Sequence, residues 1–171
     1  PRNEPSLQFY EDYYRQQGDY RKLYTILSNR LVLVDDEQKV GILDAMAEIA
    51  LRDMASPDRA IDALKKSLAI RPDNANAFDQ LTRLLEESKR WHAVIEHYTG
   101  RVDRLGEEAV AEKLLYLRRI RDVYASSDKL PVPEMVVTVD RRILAVDPTN
   151  SEALLSLSEF YRKNGRWGEL V

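Results

Sequence analysis

Leu68-Ala69-Ile70-Arg71-Pro72-Asp73-Asn74 returns far down the chain as Leu144-Ala145-Val146-Asp147-Pro148-Thr149-Asn150, and each copy leads into a helical pattern that ends in Arg-Trp. Ala77 pairs with Ala153, Leu81 with Leu157, Arg90 with Arg166 and Trp91 with Trp167, always 76 positions apart. A constant offset marks a repeat array, in which each unit stacks on its neighbours and builds an extended surface instead of a single pocket. Such surfaces mostly bind other proteins.

Within one copy the boundaries follow from local chemistry. Pro72 disfavours helix at Arg71, and Asp73 or Asn74 can cap the next helix start; Pro148 and Asn150 or Ser151 repeat the device. Phe78, Leu81, Leu84 and Leu85 form one apolar stripe at helical spacing, and Trp91, Val94, Ile95 and Tyr98 form another. Only Ser88-Lys89-Arg90 separates them, so the two helices close face to face as an antiparallel hairpin. The same pattern predicts helices over 5–17, 19–33, 37–54, 57–70, 75–88, 90–104, 108–126, 132–146 and 151–163, with another opening at 166. No period-2 strand pattern interrupts them, and the chain reads as all α.

Other copies drift further. Gly18-Asp19-Tyr20 stands where Lys89-Arg90-Trp91 stands, 71 positions earlier; Leu7, Tyr10, Tyr13, Tyr14, Leu23 and Tyr24 then fall on Phe78, Leu81, Leu84, Leu85, Val94 and Ile95. Lys39, Leu43, Met46 and Ile49 match Lys113, Leu117, Ile120 and Val123 at an offset of 74. Hairpins of two kinds therefore alternate.

The bulk numbers narrow the function classes. The chain has 171 residues, no cysteine, and 26 basic against 29 acidic residues for a net charge of −3. Disulfides and thiolate metal sites are excluded, and a reducing, cytoplasmic setting is the expectation. A dedicated phosphate-backbone binder would carry a strong positive excess, so nucleic acid is not the expected partner. Apolar runs are too short to insert in a bilayer, and no secretory leader is visible. The chain opens at Pro1 and its last unit stops early, as expected of a fragment of a longer protein.

A hairpin repeating near 34 residues, with Ala60-Ile61 opening its second helix and Pro72-Asp73-Asn74 after its end, resembles the tetratricopeptide repeat. Trp91 and Trp167 at the hairpin corner, and Gly18 and Gly165 just before it, fit the same family. The resemblance implies an α-solenoid of about four and a half hairpins in a right-handed superhelix, as a single array over 1–171. Its repeats would span about 5–36, 37–74, 75–107, 108–150 and an incomplete 151–171. Departures are Glu48 and Val94 where the family tends to have small residues, and an extension from Ser126 to Pro133 whose prolines predict a longer loop, with Pro133 near a helix start.

In such a superhelix the first helix of each hairpin lines the concave groove. The facing residues implied are Gln8, Asp12 and Arg15; Ala45, Ile49 and Arg52; Asp79, Arg83 and Glu86; Arg119, Val123 and Ser126; and Leu155, Glu159 and Arg162. Each triplet lies on one helix face. Apolar Ala45, Ile49, Val123 and Leu155 stand among charges of both signs, which suits a peptide or helix with apolar anchors and charges. None of the fifteen is Lys or Asn, unlike the carboxylate-clamping members of the family.

Other residues invite a reading of their own. His92 and His97 are five apart on one helix, whereas ligand pairs on a helix stand three or four apart, so solvated surface is the simpler reading and no metal is expected. Asp35-Asp36, Glu86-Glu87 and Glu107-Glu108 lie near helix starts or on polar faces, where carboxylates favour the helix dipole. Arg118-Arg119-Arg121 and Arg141-Arg142 are candidates for an anionic partner surface, with Asp122 and Asp140 close in sequence to neutralise them. Trp91, Trp167 and the tyrosines sit at interior spacing and are expected in the core. Without a phosphate loop, zinc motif or nucleophile elbow, no catalytic residue and no cofactor is expected. The expected function is a non-catalytic scaffold for a protein or peptide. Self-association through the open last repeat is the alternative, and a helical-repeat RNA binder is a distant third.

Overall fold

A computed structural model describes residues 4–165, which form nine helices and no strand. In chain order these are α1 (Glu4–Gln17), α2 (Tyr20–Arg30), α3 (Asp36–Arg52), α4 (Pro57–Ile70), α5 (Ala75–Glu87), α6 (Trp91–Arg104), α7 (Val110–Ala125), α8 (Pro133–Val146) and α9 (Ser151–Lys163). The helix expected from 166 onward, with Trp167, lies outside the described residues.

Helix starts are chemically marked. Asp19 and Asp35 accept from the N–H groups of Lys22 and Gln38 at 3.2 and 2.8 Å, opening α2 and α3. Asn74 and Asn150 accept from those of Ala77 and Ala153, both at 3.2 Å, opening α5 and α9. Such caps satisfy donors that the helix itself cannot. Pro57 and Pro133 occupy the first turns of α4 and α8, where a missing N–H costs nothing.

Three helix ends share a left-handed residue. Gly18, Lys89 and Gly165 hold φ of +67°, +54° and +67°. Each donates to a carbonyl three residues back: Arg15 at 3.3 Å, Glu86 at 3.0 Å and Arg162 at 3.3 Å. Asp19 and Arg90 then reach Tyr14 and Leu85, at 3.1 and 2.9 Å. At Gly18 and Lys89 the two bonds make a Schellman ending, whose left-handed residue turns the chain sharply into α2 and α6.

The chain divides into two compact units at Leu84/Leu85, inside α5. In the first, α1, α2, α3 and α4 pack consecutively. Its core includes Leu23, Leu27, Leu43, Met46 and Leu64, each such side chain contributing about 1.5–3 kcal/mol when fully buried. A polar clamp accompanies it: Asp44 accepts from the Ser67 hydroxyl at 2.7 Å and from the Asn74 amide at 3.2 Å.

In the second unit α6, α7, α8 and α9 again pack in order. Val94, Leu117, Ile120, Ile143 and Tyr161 are buried. Asp140 is fully buried on α8 and accepts from Arg121 Nε at 2.7 Å, while Arg121 also reaches Glu152 on α9 at 2.9 Å. The α7–α8 loop is held on the end of α7 by Leu130 N–H to Val123 O, 3.2 Å, and Val132 N–H to Tyr124 O, 3.0 Å.

Candidate interaction surfaces

The faces expected to line the groove are best taken unit by unit. In the first, Gln8, Asp12 and Arg15 are exposed along α1, and Asp79 and Arg83 along α5. Arg15 is anchored by Glu11, a buried carboxylate that also accepts from Arg30 at 2.7 Å. On α3, Arg52 is exposed and held by Glu48 and Asp53, and Ala45 is half-buried. Ile49, only 7% exposed, belongs to the core. Its turn of α3 packs inward, so it does not supply the surface contact that the family resemblance had implied. Glu48 is exposed and does not fill a close helix crossing.

In the second unit Arg119 is exposed on α7, while Leu155, Glu159 and Arg162 are exposed along α9. Val123 is buried at 3% and drops out for the same reason as Ile49. Ser126 is half-buried just beyond the end of α7. Glu86 is half-buried and accepts from the Tyr98 hydroxyl at 3.1 Å. Burial, and then the negative charge of Glu86, push that phenol well above its ordinary range; the nearby Arg119 charge opposes them.

The arginine clusters do not form a single patch. Arg121 is committed to Asp140 and Glu152, Arg142 pairs with Asp103 at 2.9 Å, and Arg141 donates to the Tyr161 hydroxyl at 2.6 and 3.1 Å. Successive residues on a helix point apart, and here each finds a different neighbour. His92 is exposed, while His97 is half-buried with its ring centroid 6.1 Å from that of Tyr98.

The aromatic residues correct another expectation. Tyr98 and Tyr161 are buried as their spacing predicts. Trp91 is only half-buried, with the Lys129 ammonium 5.5 Å from its ring centroid. On α1, Phe9 is 66% exposed and Tyr13 47%, with Tyr10 also exposed. A helical stripe buries only where another element covers it.

One feature escaped the sequence altogether. A cleft of about 260 Å³ lies among Tyr124 and Ala125 of α7, Pro131 and Pro133, and Val136 and Phe160 of α8 and α9. Tyr124 and Phe160 follow directly after Val123 and Glu159, so the cleft lies about 100° around each helix from the expected face. The two prolines, which cannot continue a helix, were the available signal.

Helical stacking of this kind can be compared with known proteins. No protein-family model matches the chain. A chloroplastic pentatricopeptide repeat-containing protein of Arabidopsis thaliana is 32% identical over an 87-residue alignment, covering 45% of this chain. The chain spans only 10% of that relative's length. Among solved structures, MamA aligns over 97% of this chain and 85% of its own at 18% identity, with a TM-score of 0.46. BtubC from P. vanneervenii aligns over 96% and 74% at 17% identity, with a TM-score of 0.43. No helix among the described residues is long and apolar enough to cross a membrane. Consecutively packed hairpins, their shared corner motif and the 76-residue recurrence make this chain an all-α, tetratricopeptide-like helical-repeat protein.

Proposed function

We propose that this chain is a non-catalytic scaffold in which the first helices of the hairpins present docking faces for a protein or peptide segment, with α7 and α9 forming that of the second unit. The observation that carries the reading is on α9, where Leu155 is 59% exposed in line with exposed Glu159 and Arg162. A large apolar side chain held in water, with both charge signs within two turns, suits a segment with an apolar anchor and charged flanks. Arg119 on α7 offers a further polar contact of the same kind.

Selection of binders from a random peptide display library, followed by affinity measurement, tests it. Arg119→Glu, Arg162→Glu and Leu155→Ala should each weaken the selected peptide about tenfold with little change in folding. Lys65→Glu and Lys66→Glu on exposed positions of α4 serve as controls and should leave affinity within about twofold. Controls that abolish binding while the α7 and α9 variants do not would place the working face elsewhere.

A second reading is favoured by the pentatricopeptide similarity, because such repeats read single-stranded RNA base by base. The net charge of −3 opposes it. Titration with labelled single-stranded RNA at two salt concentrations separates the readings, since tight, steeply salt-dependent binding would replace the peptide proposal. Sedimentation of the chain alone over a range of concentrations distinguishes both from an assembly module.

A further inference from the structure

We propose that Asn164 is a site of spontaneous covalent modification, at which the side-chain amide is lost through a cyclic imide formed with the backbone of Gly165. The pair is the only Asn-Gly step in the sequence. It lies just past the end of α9, and both residues are exposed. The reaction needs no partner and does not depend on the docking face of α7 and α9.

Exposure is common to the equivalent helix ends. Gln17 with Gly18, and Ser88 with Lys89, hold the same repeat positions and are exposed too, although α2 and α6 follow them directly. Their chemistry differs. Ser88 carries no amide, and the longer Gln17 side chain closes a larger, slower-forming ring.

Gly165 supplies the nucleophile. Its nitrogen is bound to Arg162 O only at 3.3 Å, beyond the usual N–H···O range. Among the described residues, a Cβ built on Gly165 would meet nothing within 4 Å, and glycine leaves the torsions beside that nitrogen free to reach the closure geometry. The restraint on Asn164 is slight. Its Nδ2 donates to Phe160 O at 2.8 Å, and this bond and that of Gly165 both lie at the end of a helix, where fraying takes little free energy.

The steps balance with water alone. Loss of its proton to solvent hydroxide activates the Gly165 nitrogen, which bonds to the Asn164 Cγ; the Cγ–Nδ2 bond then breaks, and the nitrogen leaves as ammonia after taking a proton from solvent. Water opens the imide at either carbonyl. One opening gives aspartate in the original backbone, and the other gives isoaspartate, whose main chain runs through Cβ and Cγ. Both products remove the donor to Phe160 O and place a carboxylate at the negative end of the α9 dipole. Isoaspartate also lengthens the backbone just before Gly165, whose φ of +67° turns the chain. The end of α9 therefore loosens as the protein ages.

Incubation of the whole chain at neutral and mildly alkaline pH, followed by proteolysis and mass spectrometry, tests this. Asn164 should convert to a mixture of aspartate and isoaspartate, faster at the higher pH and ahead of the equally exposed Asn29 and Asn76. Isoaspartate identifies the imide, because direct hydrolysis of the amide gives aspartate alone. Gly165→Lys, which installs the Lys89 of the earlier repeat, should slow the conversion at least about fivefold. Asn164→Ser, which installs Ser88, should abolish both the isoaspartate signal and the loss of thermal stability on storage. Conversion no faster than at Asn29 and Asn76, aspartate without isoaspartate, or an undiminished rate in Gly165→Lys overturns the proposal.

Discussion

Lys89 and Gly165 hold the same left-handed backbone conformation, 76 residues apart, just past the ends of α5 and α9. A side chain at positive φ is strained, and glycine relieves that strain. Lys89→Gly is therefore expected to stabilise the fold by about 0.5–1 kcal/mol, less whatever the freer unfolded chain takes back. Gly18→Ala should cost about 1 kcal/mol. Its added Cβ would meet only Tyr20 at 3.9 Å, so the cost is in the backbone. Urea unfolding midpoints measure both signs.

The two capping asparagines should behave alike in a mutant pair. Asn150→Ala removes a cap bond and a donor to Asp147 at 3.2 Å, and Asn74→Ala removes the equivalent cap bond and a donor to Asp44 at 3.2 Å. Each should cost about 1–2 kcal/mol, most of it from the cap. Chemical denaturation checks this; a loss for Asn74→Ala more than about 1 kcal/mol above that for Asn150→Ala would show that the Asp44 contact carries extra weight.

Arg121→Ala should be the most damaging arginine substitution, by about 3–5 kcal/mol, because it leaves the buried Asp140 carboxylate uncompensated. The double variant Arg121→Ala, Asp140→Ala should recover part of that loss. A double-mutant cycle on thermal unfolding checks the coupling.

Trp91→Ala is expected to cost about 1–3 kcal/mol, below the 3–5 typical of a fully buried aromatic, because much of the ring meets water and Lys129. Lys129→Ala should cost no more than about 1 kcal/mol. Equilibrium unfolding by far-UV circular dichroism ranks the pair.

Asp147 provides a test in acid. Hydrogen bonds from the Thr149 and Asn150 side chains hold its carboxyl below the usual carboxylate range. A depressed folded value means that its stabilisation is complete above the unfolded value of about 3.9 and is lost as pH falls through the lower folded value. Asp147→Asn should therefore flatten the stability profile below about pH 4 and leave its shape above pH 6 unchanged. Thermal scans from pH 2 to 7 measure this.

The helices were legible because Pro72, Pro148, Gly18 and the asparagine caps act through their own backbone neighbourhoods. The surface was less legible, for a physical reason. Periodicity identifies the stripe that holds Tyr10, Tyr13, Leu157 and Phe160, but burial depends on whether a neighbouring helix lies against that stripe. Ile49 and Val123 illustrate the converse, since the family resemblance puts them on an open face that packing closes. Arg121 looked like part of a basic run because its partners Asp140 and Glu152 come from two later helices.

The Asp44, Ser67 and Asn74 clamp acts as a registration pin. Apolar side chains on α3 and α4 could trade partners by sliding one helical turn, about 5.4 Å, with little loss of buried area. A hydrogen-bonded carboxylate cannot, because such a slip would strand Asp44 without its donors at about 1–3 kcal/mol for each group left unsatisfied. The clamp thus penalises misaligned hairpins more than it strengthens the aligned one, and fixes where the next helix must begin.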